Sequence, residues 1–472
     1  MQPCARLRKA DRLPLGERVL TCGKRRIDRI LECIRISSFT ITSNFTHLRD
    51  AERSIDSHSL IYAQVPYSGR SERRLMATFG SRLAEHDGVG PGFDAVRIAL
   101  ALSVLFTHTS LLRPAAPEAA LAPVLPFVPL QQWAFDFAPL PLFFALSGFL
   151  VAGSAERLSL GQFMINRGLR ILPALSVEIV LSALVLGPLL TVYGLWQYFT
   201  DPLFARYFLN IIGNIHYELP GVFLANPNPG IVNGSLWTVP HEITCYALLM
   251  LCIVTGLYRS RALMLLLTLG LFGVSMAIFL CGKLGIALPY HDKLTYLFVT
   301  RGAARLVPLF LLGIVFYQYR DRIPYRFAYA LSGAVLYVVM VAFGSPDWVA
   351  NPIFSFVTAP IFAYVVNYAG LSEKLVFKPL SRGDYSYGIY LYGFPLQQAM
   401  IQTMPWIDDR AAFFALSIAA ASTMAIFSWH VIEKPVLRLR RKFSLTARIH
   451  AGSEVEAGKL GARPAQPAAA AE

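Results

Sequence analysis

Apolar residues recur along the chain in runs that are long enough to cross a lipid bilayer. A helix needs about 20 apolar residues to span the hydrocarbon core, and ten runs approach or reach that length from Phe93 onward. The predicted spans are residues 93–112, 132–153, 171–192, 236–257, 262–281, 299–318, 327–343, 350–369, 385–404 and 411–432. The pattern therefore predicts an all-α, polytopic membrane protein of about ten transmembrane helices.

The charges between these runs predict how the chain is oriented. Short cytoplasmic loops collect Lys and Arg. The loops that follow the even-numbered spans contain eleven such residues, whereas the loops that follow the odd-numbered spans contain five. We therefore expect both termini on the cytoplasmic side of a bacterial inner membrane, and the long connection 193–235 on the outer side.

The composition agrees with a membrane protein and locates its positive charge. Hydrophobic residues make up 55% of the chain and charged residues 15%, and the formal net charge is +14. Residues 1–75 hold 15 basic and 8 acidic side chains, and residues 434–472 hold 8 and 3. Basic ends of this kind fit anionic membrane lipid better than nucleic acid, so lipid is an expected partner and nucleic acid is not.

The same changes in composition divide the chain into four regions. Residues 1–75 are expected to be a basic N-terminal extension, either disordered or upstream of a true start at Met76. Residues 76–92 form a cytoplasmic lead-in, 93–433 the transmembrane domain, and 434–472 a basic, disordered cytoplasmic tail.

Two ionisable residues share one face of the first span. Arg97 and His108 are eleven residues apart, and eleven helical steps return to within about 20° of the start and climb about 16 Å. Ionisable groups in hydrocarbon are costly and usually face a cavity or carry function. We therefore predict that both line a reaction channel, although a hydrogen-bonded packing role for His108 stays open.

Further candidates lie at the predicted inner surface. Asp94 precedes Arg97 by three residues, and Arg167 and Arg170 are one helical turn apart. Paired guanidinium groups suit phosphate oxygens. The alternatives are an interfacial salt bridge for Asp94 and Arg97, and ordinary positive-inside anchoring for the second pair.

The fourth span begins with a polar group near the predicted outer surface. Glu242 lies at a depth similar to that of His108, and a carboxylate beside an imidazole can orient it and make it a better base. Trp237 could contact a substrate or belong to the aromatic belt at the interface.

Three more charged residues lie toward the same side. Arg301 and Arg305 share a helix face, and Asp136 lies near the outer end of the second predicted span. They are candidate substrate contacts, and the two arginines could instead balance Glu242 or Glu178.

The order of these segments resembles that of the membrane-bound acyltransferase 3 family. The matching pieces span about residues 93–435 and are Asp94 and Arg97 before His108, Phe143-Phe-Ala-Leu-Ser-Gly-Phe, Arg167-Gly-Leu-Arg170, Ser235-Leu-Trp-Thr-Val-Pro-His-Glu242, Pro308-Leu-Phe-Leu-Leu-Gly313, Tyr385-Ser-Tyr-Gly-Ile-Tyr-Leu and Ile432-Glu-Lys-Pro435. Two departures are Asp94-Ala-Val-Arg in place of the commoner Asp-Gly-Leu-Arg, and His241 in place of Val before Glu242.

The resemblance implies a membrane O-acyltransferase. Its donor would be acyl-CoA, usually acetyl-CoA, bound from the cytoplasm, and its acceptor a hydroxyl of a cell-surface or exported glycan or lipid-linked glycan. His108 would be the essential catalytic residue with Glu242 as its polar partner. The expected donor-binding residues are Asp94, Arg97, Arg167 and Arg170, and the expected acceptor contacts are Asp136, Trp237, Arg301 and Arg305.

A different class of protein competes with this interpretation. A secondary transporter or exporter of a glycan or small anionic solute would also place His, Glu and Arg inside the membrane. Such transporters often show inverted repeats, and the two halves of this sequence show no such correspondence. The six cysteines have no metal-ligand spacing, and neither a P-loop nor a GxSxG motif occurs, so no metal is expected.

Overall fold

The structure, a computed structural model, describes residues 77–113, 136–300, 302–345, 347–348, 351–376 and 383–443. Its described residues are mainly helical, and their only β-pairings are two isolated bridges, Thr78 with Pro324 and Thr191 with Val222. The ten longest helices are α1 (Phe93–Leu112), α2 (Pro139–Arg157), α3 (Leu160–Leu190), α4 (Gly234–Val254), α5 (Arg261–Lys283), α6 (Gly302–Gln318), α7 (Phe327–Ala342), α8 (Pro352–Gly370), α9 (Ser386–Thr403) and α10 (Arg410–Arg438). Shorter helical turns are Phe79–Ala84, Leu195–Thr200, Pro202–Tyr207, Phe208–Ile212, Leu257–Arg259, His291–Thr295, Tyr296–Thr300 and Glu373–Leu375.

The prediction of an all-α membrane protein is confirmed, whereas the count of about ten spans is not. In the described part of the chain, seven helices are long and apolar enough to cross a membrane. An eighth is added if His291–Thr300 and Ala304–Gln318, which are bent by 49°, form one span. Helix α7 has only 16 residues, and α9 is not apolar enough.

Helix α9 contains buried polar side chains whose hydrogen bonds are made to other parts of the protein. Gln397 and Gln398 are fully buried. The Gln397 amide donates to the Thr109 hydroxyl at 2.8 Å, and the Gln398 amide donates to the Asn228 carbonyl at 2.8 Å. Buried amides need such partners, so these residues join α9 to α1 and to the long connection between α3 and α4.

Helix α3 begins earlier than its apolar run predicts. Ser159 caps it, and the Ser159 and Gln162 side chains form a reciprocal capping box. The predicted start at residue 171 is therefore wrong by about three turns. As a result, Arg167 and Arg170 lie within the helix rather than in a loop.

Helices α2 and α6 approach each other closely through glycines. A Cβ added to Gly148 would lie 1.9 Å from the Phe310 carbonyl oxygen, and one added to Gly313 would lie 2.1 Å from the Ala145 carbonyl oxygen. Small residues allow such backbone contact between membrane helices. The contact fixes α2, which lines the cavities described below.

Gly148→Ala is expected to destabilise the protein by about 1–3 kcal/mol, because the new methyl group meets backbone that cannot move aside. The measurement is the midpoint of thermal denaturation of purified protein in detergent. Gly270→Ala in α5 is the matched control, since no heavy atom lies within 4 Å of its added Cβ. Equal midpoints for the two variants would contradict the close α2–α6 contact.

Candidate active site

A buried carboxylate, Asp384, joins three helices at the end of the bundle where α1 begins, which we call the basic end. Its Oδ2 accepts hydrogen bonds from Arg97 on α1, at 2.9 Å, and from Arg170 on α3. Its Oδ1 accepts one from the Ser386 hydroxyl at 2.6 Å. Asp94 lies 3.6 Å from Arg97 on the same helix. This network ties α1 and α3 to the start of α9.

The charge of Asp384 is maintained by its neighbours. The side chain is only 11% exposed. Burial alone would raise the pKa of the carboxyl group, but the Arg170 and Arg97 guanidinium groups hold that pKa well below its ordinary value. The group therefore stays ionised and keeps both arginines in place.

A cavity with about 1010 Å³ of empty space, open solvent at its mouth included, adjoins this network. We call it the basic cavity, because its charged lining is Arg97, Arg167, Arg170 and Glu242. The Tyr246 hydroxyl donates to Glu242 Oε1 at 2.5 Å, and the Arg167 guanidinium lies over the Tyr246 ring. Three cations and one carboxylate give the cavity a net positive lining.

A second cavity, of about 950 Å³ measured in the same way, contains His108 and is called the histidine cavity. Asp136, Trp237 and Arg305 also line it. The His108 ring makes an edge contact with Phe394, with 4.9 Å between the ring centroids. No hydrogen bond from another described residue reaches its ring nitrogens, so both can face a substrate.

Arg305 brings a positive charge to the histidine cavity, and no carboxylate of the described residues lies within 4 Å of it. Its guanidinium lies 4.9 Å from the Phe137 ring centroid, and its buried Nε has no hydrogen-bond partner within the described chain. Trp237 forms a fixed wall, since Gly302 packs against its ring and His241 meets it edge-on at 5.6 Å. A cation and a flat aromatic surface thus lie in one cavity with the imidazole.

A second buried carboxylate positions this wall. Glu178 on α3 accepts hydrogen bonds from the Ser182 hydroxyl at 2.8 Å and from the Asn233 amide at 2.9 Å. The Asn233 amide also donates to the Leu391 carbonyl on α9 at 3.0 Å. The start of α4, just before Trp237, is therefore held between α3 and α9.

The structure groups the predicted residues differently from the expectation in one respect. Glu242 lies in the basic cavity with Tyr246 and the arginines, whereas His108 lies in the histidine cavity. The expected pairing of the His108 imidazole with the Glu242 carboxylate is therefore not present. Similar depth along two helices does not make their side chains face the same cavity. Arg301 lies outside the described residues.

Arg97 and His108, which were predicted to line one channel, line two different cavities, Arg97 the basic cavity and His108 the histidine cavity. Leu140 on α2 lines both cavities, so they adjoin at this side chain. The sequence analysis did not identify Asp384. Its position directly before the Tyr385 motif could have indicated its role, because this places a carboxylate at the end of the bundle where Arg97 and Arg170 need a counter-charge.

These features define an integral membrane protein in which a basic cavity adjoins a cavity lined by a histidine. A family model described as an acyltransferase domain matches residues 91–432. The chain therefore belongs to the acyltransferase 3 family and is an acyltransferase. The predicted resemblance is confirmed.

Two curated relatives agree with this assignment. The chain is 27% identical to an O-acetyl transferase of Shigella phage Sf6 over 379 residues, which cover 75% of this chain and 98% of the relative. It is 29% identical to nodulation protein 10 of Rhizobium leguminosarum bv. viciae over 380 residues, which cover 75% of this chain and 95% of the relative. No solved structure matches the chain.

Proposed function

We propose that the protein transfers an acetyl group from acetyl-CoA to a hydroxyl group of a cell-surface or exported glycan, within a bacterial inner membrane. The observation that carries the proposal is the pair of adjoining cavities, one lined by three arginines and the other by His108. The printed name of the phage relative supports O-acetyl transfer. The loop charges support cytoplasmic termini, and thus a cytoplasmic basic end.

The donor would enter at the basic end. The phosphates of CoA carry negative charge, and Arg97, Arg167 and Arg170 offer charge-assisted hydrogen bonds to such oxygens. On α1 the rise from Arg97 to His108 is about 16 Å, which is comparable with the reach of an extended pantetheine arm. The thioester could then come to the histidine while the nucleotide stays at the basic end.

In the direct route, His108 takes the proton of the acceptor hydroxyl as its oxygen attacks the thioester carbonyl carbon. The carbon–sulfur bond then breaks, and the leaving sulfur receives the proton from the imidazolium, so the products are an ester and CoA with a free thiol. In a covalent route, a ring nitrogen of His108 attacks the thioester carbonyl carbon, the carbon–sulfur bond breaks, and CoA leaves as a thiol with the proton that the ring gives up. The acceptor hydroxyl then attacks the acetyl-imidazole, and its proton returns to the ring nitrogen as the ester is released. Both routes need a ring nitrogen that is open to the cavity.

The acceptor would lie in the histidine cavity. Trp237 provides a flat apolar surface and a ring N–H donor, and Arg305 and Asp136 provide charged hydrogen-bonding groups. This combination suits a hydroxyl-rich ring such as a sugar.

Membranes that contain the protein, incubated with acetyl-CoA labelled in the acetyl group and with surface glycan, test the proposed function. We expect label in ester linkage on the glycan. Movement of glycan or a small anion across sealed vesicles, without labelling, would indicate a transporter instead and would overturn the proposal.

Arg305→Gln is expected to raise the KM for the acceptor about tenfold and to leave the KM for acetyl-CoA unchanged. The reason is the loss of a charged hydrogen-bond donor, which contributes about 1.5–3 kcal/mol. Arg206→Gln is the matched control, since Arg206 is exposed in the connection between α3 and α4 and lines neither cavity. An equal rise in both KM values would argue against an acceptor site at Arg305.

A further inference from the structure

A third cavity extends from the basic cavity at the basic end of the bundle. It has about 600 Å³ of empty space, including open solvent at its mouth, and Gly88, Gly90 and Arg157 line it. We call it the glycine groove. It shares Arg97 and Arg167 with the basic cavity. The two cavities therefore adjoin at these guanidinium groups, which a ligand with phosphates on both sides would contact.

The glycine groove carries excess positive charge. Arg97, Arg157 and Arg167 line it, and none of its lining residues is acidic. The adjacent Glu156 is engaged elsewhere, by the Tyr317 hydroxyl at 3.1 Å and by Arg320 at 3.6 Å.

The three arginines differ in how many of their charges and N–H groups already have partners in the protein. The charge of Arg97 is matched by Asp384. Arg167 donates to the Ser154 hydroxyl at 3.1 Å, and its buried Nε has no partner. Within the described chain, no carboxylate lies within 4 Å of Arg157. Arg157 is therefore the cation in the groove that is most available to an anion.

The backbone at residues 88–90 keeps this space open. Gly88 has a φ of +76°, and an added Cβ would lie 3.2 Å from Arg157 Nη1. At Gly90 an added Cβ would lie 2.7 Å from the Gly370 carbonyl oxygen. The first glycine provides a left-handed turn, and the second allows backbone to pack against α8.

Aromatic rings form one wall of the groove. Phe93, Phe149 and Tyr317 line it. The ring planes meet at 49° for Phe93 and Phe149, and at 78° for Phe149 and Tyr317, and all three side chains are buried. The wall therefore presents ring edges rather than an open stacking face, and a purine can make edge contacts with it. A guanidinium group beside this apolar wall can bind the phosphate of the same nucleotide.

We propose that the glycine groove binds the adenosine 3′-phosphate end of the donor, with Arg157 on the 3′-phosphate and the aromatic wall against the adenine. This inference rests on the proposed function, in which the diphosphate occupies the basic cavity. It makes Arg157 a specificity-determining residue. The enzyme then prefers CoA thioesters over acyl carriers that end at the phosphopantetheine.

The test compares acetyl-CoA with acetyl-dephospho-CoA, which lacks only the 3′-phosphate, as donors for the purified full-length protein. For the unmodified protein we expect kcat/KM to be about tenfold lower with acetyl-dephospho-CoA. Arg157→Gln should lower kcat/KM for acetyl-CoA by the same factor, through KM, and leave the value for acetyl-dephospho-CoA unchanged. Arg157→Lys should restore part of the preference.

Arg259→Gln is the matched control, because Arg259 is exposed in the loop between α4 and α5 and lines none of the three cavities. Equal use of the two donors by the unmodified protein would overturn the inference. So would an Arg157→Gln variant that is weakened equally toward both donors.

Binding measurements separate this inference from the proposed function. If neither donor transfers its acetyl group, the proposed function fails, and calorimetric titration with CoA and dephospho-CoA still tests the groove. Tighter binding of CoA that is lost in Arg157→Gln supports the groove, and equal binding of the two compounds rejects it.

Discussion

His108→Ala is expected to lower the rate of acyl transfer by at least about 100-fold, the usual contribution of a general base, without loss of the protein from the membrane. The imidazole lines a cavity beside the one that is proposed to hold the donor, and no described hydrogen bond occupies its nitrogens. The measurement is the initial rate of label transfer from acetyl-CoA to glycan, normalised to the amount of protein in the membrane.

His430→Ala is the control for this prediction. His430 lies on the last helix, is exposed, contacts the Ile426 carbonyl of its own helix at 2.9 Å, and lines neither cavity. It should retain full activity. Transfer by His108→Ala at the rate of this control would eliminate the imidazole as general base and as acyl carrier.

The periodicity of a single helix was enough to predict part of the site. Arg97 and His108 are on one continuous helix, so their relative direction depends only on the helical repeat. Each lines a cavity, although the prediction was of one channel and the two cavities are separate. The relative direction of Arg167 and Arg170 also follows from the helical repeat, since the two residues share one turn of α3, and both line the basic cavity.

Relations between helices were harder to predict, because they depend on rotation about each helix axis. Glu242 and His108 have similar predicted depths, yet Glu242 meets Tyr246 and the arginines. The first turn of α4 is a 3₁₀-helix over Gly234–Thr238, and its pitch differs from that of an α-helix. Depth alone therefore did not identify the neighbours of Glu242.

The partner of Arg97 could not be found from local sequence. Asp384 lies 287 residues away, in a segment whose apolar pattern indicates only a span. Helix α9 also shows why hydropathy gives an uncertain count of spans. Gln397 and Gln398 are fully buried and bond to other protein segments, so they lower the hydropathy of the helix without being left unpaired.

Removal of the Asp384 carboxylate is expected to destabilise the protein strongly. Asp384→Ala leaves the Arg97 and Arg170 guanidinium groups, whose side chains are 25% and 27% exposed, without their shared counter-charge. Breaking a fully buried ion pair on one side costs about 3–5 kcal/mol, and the partial exposure of the two arginines reduces this cost to about 2–3 kcal/mol. The half-life of the purified protein at elevated temperature should fall, and the KM for acetyl-CoA should rise, because both arginines lose their fixed orientation.

The control for Asp384 is Asp408→Ala. Asp408 is 87% exposed and lies 3.6 Å from Arg113, so its removal should cost no more than about 1 kcal/mol. The double variant Asp384→Ala with Arg170→Met removes charges of both signs and should recover part of the lost stability, because fewer buried charges remain unmatched. If the double variant is less stable than Asp384→Ala alone, contacts other than the carboxylate hold Arg170 in place. The ion pairs of Asp384 would then not be what joins α1, α3 and α9.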